Sequence, residues 1–221
     1  MSYIPFILLS APEYIVVLVF IMTFFRIKIS GFYPQIFFIA IMLGNVSYAT
    51  RADEILSKFS PIFQVVMFAI LIWMLFRVHI FYSTIITTIG YASYALIQVL
   101  LVFIFTETGL ISMQEVTEKL SFESYIVPLC SMVLMLLLTW LIKRYDFAID
   151  WIPNTHRAKV VMRGENNVFL VLTLLTLAVL IVLYYVLVIG LAIYYISALL
   201  TIGCLIFVLL YLSKKRDELD D

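Results

Sequence analysis

Seven apolar runs follow one another along this chain, each close to the ~20 residues that an α-helix needs to cross the hydrocarbon core of a bilayer. The pattern predicts spans over residues 10–25, 34–50, 60–76, 80–105, 125–142, 168–188 and 191–212. Local signals mark several starts. Ser10-Ala11-Pro12-Glu13 reads as a capping box with proline in the first turn, Pro34 and Pro61 open the second and third runs, and Pro128 falls in the first turn of the fifth. Residues 3–9 either extend the first helix or lie at the interface. The last two spans share the uncharged stretch 168–212, which is twice the length of one span and requires a turn near Gly190.

The polar gaps sort by charge. Eleven of the fourteen Lys and Arg residues follow the first, third, fifth and seventh spans: Arg26, Lys28, Arg77, Lys143, Arg144, Arg157, Lys159, Arg163, Lys214, Lys215 and Arg216. The alternate gaps hold Arg51, Lys58 and Lys119 among several acids. By the positive-inside rule the basic gaps are cytoplasmic. The N-terminus is then outside, and the charged tail 214–221 is inside. A single helix over 168–212 would place that tail on the wrong face, so charge and length agree. The expected fold is all-α, a polytopic transmembrane helix bundle forming one domain over 1–213 in the bacterial cell membrane.

Composition supports this reading. The chain is 65% hydrophobic and 13% charged, with mean hydropathy +1.13, whereas soluble domains are roughly half apolar and a quarter charged. The net charge is zero, and nothing points to nucleic acid. Cys130 and Cys204 both lie inside apolar runs, which predicts buried free thiols and no disulfide framework. The first residues lack a basic segment, and a cut after Ala11 would leave Pro12 first, so no cleaved signal peptide is expected.

Polar side chains within the runs are the candidates for function, because they are costly in hydrocarbon and face the bundle interior. In the fourth span Thr84, Thr87, Tyr91, Tyr94 and Gln98 recur at steps of three and four, which puts them on one helical face with Gly90 beside it. Such a stripe serves either interhelical packing or contact with a ligand. Asn45, Ser47 and Tyr48 in the second span and Gln64 in the third can join it. Depth separates Thr84 and Thr87, near the inner face, from an outward-opening patch of Asn45, Gln64 and Gln98. Glu13 is expected at an outer helix N-terminus, where the macrodipole stabilises negative charge, the alternative being a buried proton or cation site.

Catalysis finds little support. His79 and His156 fall on the cytoplasmic side, away from Cys130, and Cys204 lies deep in the seventh span, so no thiol meets a base. No metal-ligand spacing, phosphate loop or paired carboxylates occur, and no cofactor is expected. Residues 107–124 form an interfacial helix or a solvated loop outside. Residues 143–167 mix basic groups with Trp151, Ile152 and Val160, suited to anionic headgroups of the inner leaflet.

The stretches LLSAPEYIVVLV (8–19), NVSYATR (45–51), MLFRVHIFYSTIITTIGYASYALIQ (74–98) and LIKRYDF (141–147) resemble the membrane sensor region of Gram-positive quorum-sensing-type receptor histidine kinases, and related stand-alone membrane proteins of spore-forming bacilli. The resemblance implies a sensing or regulatory role, with an extracellular peptide or lipid-like ligand and a cytoplasmic or membrane signalling partner. No dimerisation helix with a phosphorylatable histidine and no ATP-binding domain is present, so kinase activity is not implied. A small transporter or transport-complex subunit, and a structural or assembly partner in a membrane complex, are the rival expectations.

Overall fold

The computed structural model describes residues 3–57, 59–110, 126–150, 164–189 and 195–220, and all regular structure among them is helical. The helices are α1 (Tyr3–Phe24), α2 (Tyr33–Ala52), the single turn α3 (Glu54–Ser57), α4 (Ser60–Leu75), α5 (Ile80–Glu107), α6 (Ile126–Tyr145), α7 (Glu165–Ile189) and α8 (Tyr195–Asp220), with a 3-10 turn at Ile29–Gly31. Seven of these coincide with the seven apolar runs. Four segments are long and apolar enough to cross a membrane: α1, α5, α6 and Asn166–Tyr185 within α7. The turn expected near Gly190 lies outside the described residues, as do most of the 107–124 gap and residues 151–163.

Two helix limits differ from expectation. α1 begins at Tyr3, so residues 3–9 extend the helix and Ser10-Ala11-Pro12-Glu13 is not its start. Proline within a first turn and proline within a helix look alike in sequence. Here Pro12 lies inside, where its missing N–H removes one bond to the carbonyl four residues back. At the other end, α8 runs on through Lys214 and Lys215 to Asp220, so the backbone of the charged tail is helical.

The helix ends follow local chemistry. His79 caps α5, its Nδ1 accepting from the Phe81 N–H at 3.2 Å. α1, α4 and α6 are each left through a residue of positive φ, Arg26 (48°), Arg77 (58°) and Asp146 (53°). Around two of them the following N–H reaches back into the last turn, Ile27 to Met22 at 2.8 Å and Phe147 to Ile142 at 3.1 Å. α5 ends the same way at Gly109 (φ 69°), with Leu110 N–H on the Phe105 carbonyl at 3.0 Å. Glycine adopts that conformation without the Cβ penalty.

Contacts sort the helix ends into two sets. Arg26 pairs with Asp146 at 2.9 Å, Ile149 N–H donates to the Phe24 carbonyl at 2.7 Å, Phe32 meets Phe76 at 5.0 Å, and Lys214 lies over Phe147 at 5.5 Å. Among the described residues that end carries Arg26, Lys28, Arg77, Lys143, Arg144 and Lys214, whereas Arg51 stands at the other. The Arg26–Asp146 pair is exposed, so it adds at most ~1 kcal/mol. At the opposite end Tyr3 donates to Asn45, Thr50 meets Ser60 at 2.7 Å, and Tyr184 donates to the Ser57 carbonyl at 3.0 Å.

α5 lies at the centre, packed against α1, α4, α6, α7 and α8, while α2 packs on α1 and α4. The core is hydrocarbon: Leu18, Ile21, Ile39, Phe68, Ile86 and Met135 are fully buried. The outer surface is apolar as well, with Phe63, Trp73, Val133, Leu137, Trp140 and Phe207 exposed, a distribution suited to lipid rather than water. Cys130 is half-buried, but Cys204 is exposed, which corrects the expectation of two buried thiols. It lines a shallow apolar groove with Leu96 and Leu100 of α5 and Phe207 of α8.

Candidate functional site

The polar residues of α5 meet those of α1, α2 and α4 in two hydrogen-bonded sets, joined through the adjacent Glu13 and Tyr14 of α1, toward the end of the bundle opposite Arg26, Lys143 and Arg144. The hub of the first set is Gln64, buried four residues into α4. Its Oε1 accepts from Tyr14 of α1 at 3.1 Å and from Tyr91 of α5 at 3.4 Å. Its Nε2 donates to Ser47 of α2 at 3.2 Å and to Ser60 of α4 at 2.9 Å. A carboxamide has two acceptor and two donor sites, so this amide is saturated. Thr50 extends the chain by bonding Ser60 and, through its hydroxyl, the Ser47 carbonyl at 3.1 Å.

Glu13 is the second focus. It lies about 15 Å from the start of α1, at 1.5 Å per residue, and not in a first turn. Tyr94 donates to its Oε1, and Gln98 Nε2 donates to the same oxygen at 3.1 Å and to the Tyr94 hydroxyl at 3.0 Å. Glu13 is half-buried and makes no ion pair with a described residue. Intramembrane carboxylates are normally paired. Arg51, exposed in the last turn of α2, lies over the Phe6 ring at 5.6 Å, from where its charge acts on Glu13, Tyr14 and Tyr91.

The expected site residues divide three ways. Gln64 and Tyr91 share one set of bonds, and Tyr94 and Gln98 another; Glu13 and Tyr14, adjacent in α1, join the two sets. Asn45 stays outside. Its Nδ2 donates to its own helix at the Ile41 carbonyl, 2.8 Å away, and its Oδ1 accepts from Tyr3. Of the stripe residues nearer the basic end, Thr84 donates to the Ile80 carbonyl at 2.9 Å, and the buried Thr87 hydroxyl has no partner among the described residues. Gly90 is a packing position: a Cβ there would stand 2.2 Å from Cδ1 and 2.4 Å from Cγ1 of Ile21 in α1. The patch is thus centred on Glu13 and Gln64 rather than on Asn45.

Sequence reading missed Glu13, Tyr14, Thr50 and Ser60 as members. One signal was available: Glu13 is the sole acid within an apolar run, and placing it mid-helix needed only that α1 start seven residues earlier. Among the described residues no group of His, Cys, Asp and Glu has a metal-holding arrangement. His79 caps α5 at one end, while Cys130 packs with Leu101 and Val102 near the other. No family model matches the chain, and no curated protein or solved structure proves similar to it.

Proposed function

We propose that the chain is an integral membrane protein of receptor-like or regulatory type. It spans the bacterial cell membrane seven times, with the N-terminus outside and the C-terminus cytoplasmic. The network around Glu13 and Gln64 receives an extracellular peptide or lipid-like ligand, and the response passes to a cytoplasmic or membrane signalling partner. One observation carries the reading. An ionisable side chain is held away from any helix end by side chains of the central helix, and such a group marks a functional site by default. The collection of basic residues at one end of the bundle supports the orientation. The resemblance to kinase sensor regions implies the sensing or regulatory role. A small transporter or transport-complex subunit is the second reading, favoured by the same carboxylate, since transport paths use intramembrane acids.

Reporter fusions at residues 115, 155 and 221 test the orientation. The first is expected to report outside and the other two inside, and an outside signal at 155 or 221 would overturn it. For the site, Tyr94→Phe combined with Gln98→Leu is expected to leave membrane abundance within about two-fold while abolishing the cellular response of the wild type, because the exchanges remove under ~2 kcal/mol of bonding. Should abundance alone fall, the network would be packing. Accumulation of a solute that depends on both residues would favour the transporter.

A further inference from the structure

We propose that Glu13 is a proton-binding site. The inference deepens the functional reading of the network and rests on it for its biological use, but its chemistry stands on geometry alone. Both donors that reach the carboxyl group, the Tyr94 hydroxyl and Gln98 Nε2, converge on Oε1. Oε2 takes no hydrogen bond from a described residue. That asymmetry is the pattern of a neutral carboxylic acid, with Oε1 as a doubly accepting carbonyl and Oε2 carrying the hydrogen. An ionised carboxylate would leave half its charge on an oxygen without a donor, on a half-buried side chain midway along an apolar helix, at a desolvation cost that neutralisation removes.

The surroundings agree. Facing Glu13 are Tyr14 from its own helix, Arg51 from α2, and Tyr91 and Tyr94 from α5. α6, which also packs on α1, has Lys143 and Arg144 in its last turn, at the far end. Arg51 is thus the one positive charge at hand among the described residues, and it rests on Phe6 at 5.6 Å instead of pairing with Glu13. With Arg51 on that ring, the Glu13 carboxyl has no counter-charge in contact among the described residues, an arrangement a neutral acid tolerates better than a carboxylate. Loading transfers a proton from hydronium to Oε2: one O–H bond of hydronium breaks, one O–H bond forms on the carboxyl, and water is left. Release returns that proton to water as hydronium. A proton needs no cavity, which suits a network whose other polar atoms are already bonded.

Infrared spectroscopy of the full chain in phospholipid vesicles tests this without any knowledge of a ligand. At neutral pH the wild type is expected to show a protonated-carboxyl C=O band that Glu13→Gln lacks, since exposed acids are ionised there. Glu13→Gln keeps a carbonyl for Tyr94 and Gln98. Should it nonetheless fail to fold, Gln98→Leu supplies the assignment, because losing a donor to Oε1 must shift the band. A wild-type spectrum without the band, a band unmoved in Gln98→Leu, or a band removed by sodium at constant pH would each overturn the proposal, the last in favour of a metal-cation site. A missing band paired with an intact ligand response would sink the proton site and leave the receptor reading standing.

Discussion

Gly90→Ala is expected to destabilise the protein by about 1–3 kcal/mol, the range for a methyl group forced into a packed core. The added carbon would stand 2.2 Å from Cδ1 and 2.4 Å from Cγ1 of Ile21, far inside contact distance. Relief is hard to find. Ile21 is 1% exposed, so its branched side chain has little room to rotate away. Either Ile21 leaves its rotamer or α1 moves off α5, and the second route also pulls Glu13 from Tyr94 and Gln98. Thermal unfolding in detergent measures the loss. The diagnostic result is the double variant: Ile21→Ala removes both clashing carbons, so Gly90→Ala/Ile21→Ala should cost less than the sum of the single changes by about 1 kcal/mol or more. Strict additivity would mean that the two helices do not meet as described.

The other large effect is expected at Gln64. Gln64→Leu keeps the approximate volume but removes the acceptor shared by Tyr14 and Tyr91 and the donors to Ser47 and Ser60. Side-chain bonds between helices in membranes average about 0.6 kcal/mol and reach about 1.7. Three such bonds and two stranded phenols together predict a loss of about 2–4 kcal/mol. Gln98→Leu is the internal comparison. It removes bonds to Glu13 and Tyr94 only and leaves fewer groups unpaired, so its cost should be the smaller. Unfolding of both variants in the same lipid-detergent mixture decides the matter, and a Gln98→Leu loss equal to or greater than that of Gln64→Leu would show that Gln64 is not the hub.

Helix positions were legible in the sequence because length and hydropathy alone determine them. The seven helices fall on the seven apolar runs, and the described basic residues other than Arg51 gather at one end, as their spacing in the chain requires. The start of α1 was not legible. A proline two residues after a serine suits both a first turn and a helix interior, and only the packing of residues 3–9 against α2, including Tyr3 on Tyr48 at 5.1 Å, distinguishes them. That single ambiguity hid Glu13. The α5 stripe was legible as a face but not in its uses, since Gly90, Thr87 and Tyr94 share a periodicity and differ only in what lies opposite. Which helix stands opposite is a matter of neighbour order. Nothing along the chain announces that α1 flanks α5, and for the same reason Asn45 looked like a partner for Gln98 when its neighbour is Tyr3.

Several hydroxyls of the later helices bond only within their own helix, as Thr84, Thr88 and Thr106 of α5 also do. Ser131, Thr139, Thr173, Thr176 and Thr201 each donate to the carbonyl four residues back in their own helix. None of them reaches across. Among the described residues, α1, α2, α4 and α5 are riveted to one another by directional bonds, whereas the contacts of α6, α7 and α8 with them are chiefly apolar, with Tyr184 on Ser57 and the links at Asp146, Phe147 and Ile149 as tethers at the rims. Sliding or rolling a helix over a greasy surface breaks no rivet. Any rearrangement begun at the cluster would therefore surface as displacement of α6, α7 and α8. Because α8 runs unbroken to Asp220, its movement would carry Lys214 and Lys215 along the membrane surface like the tip of a lever.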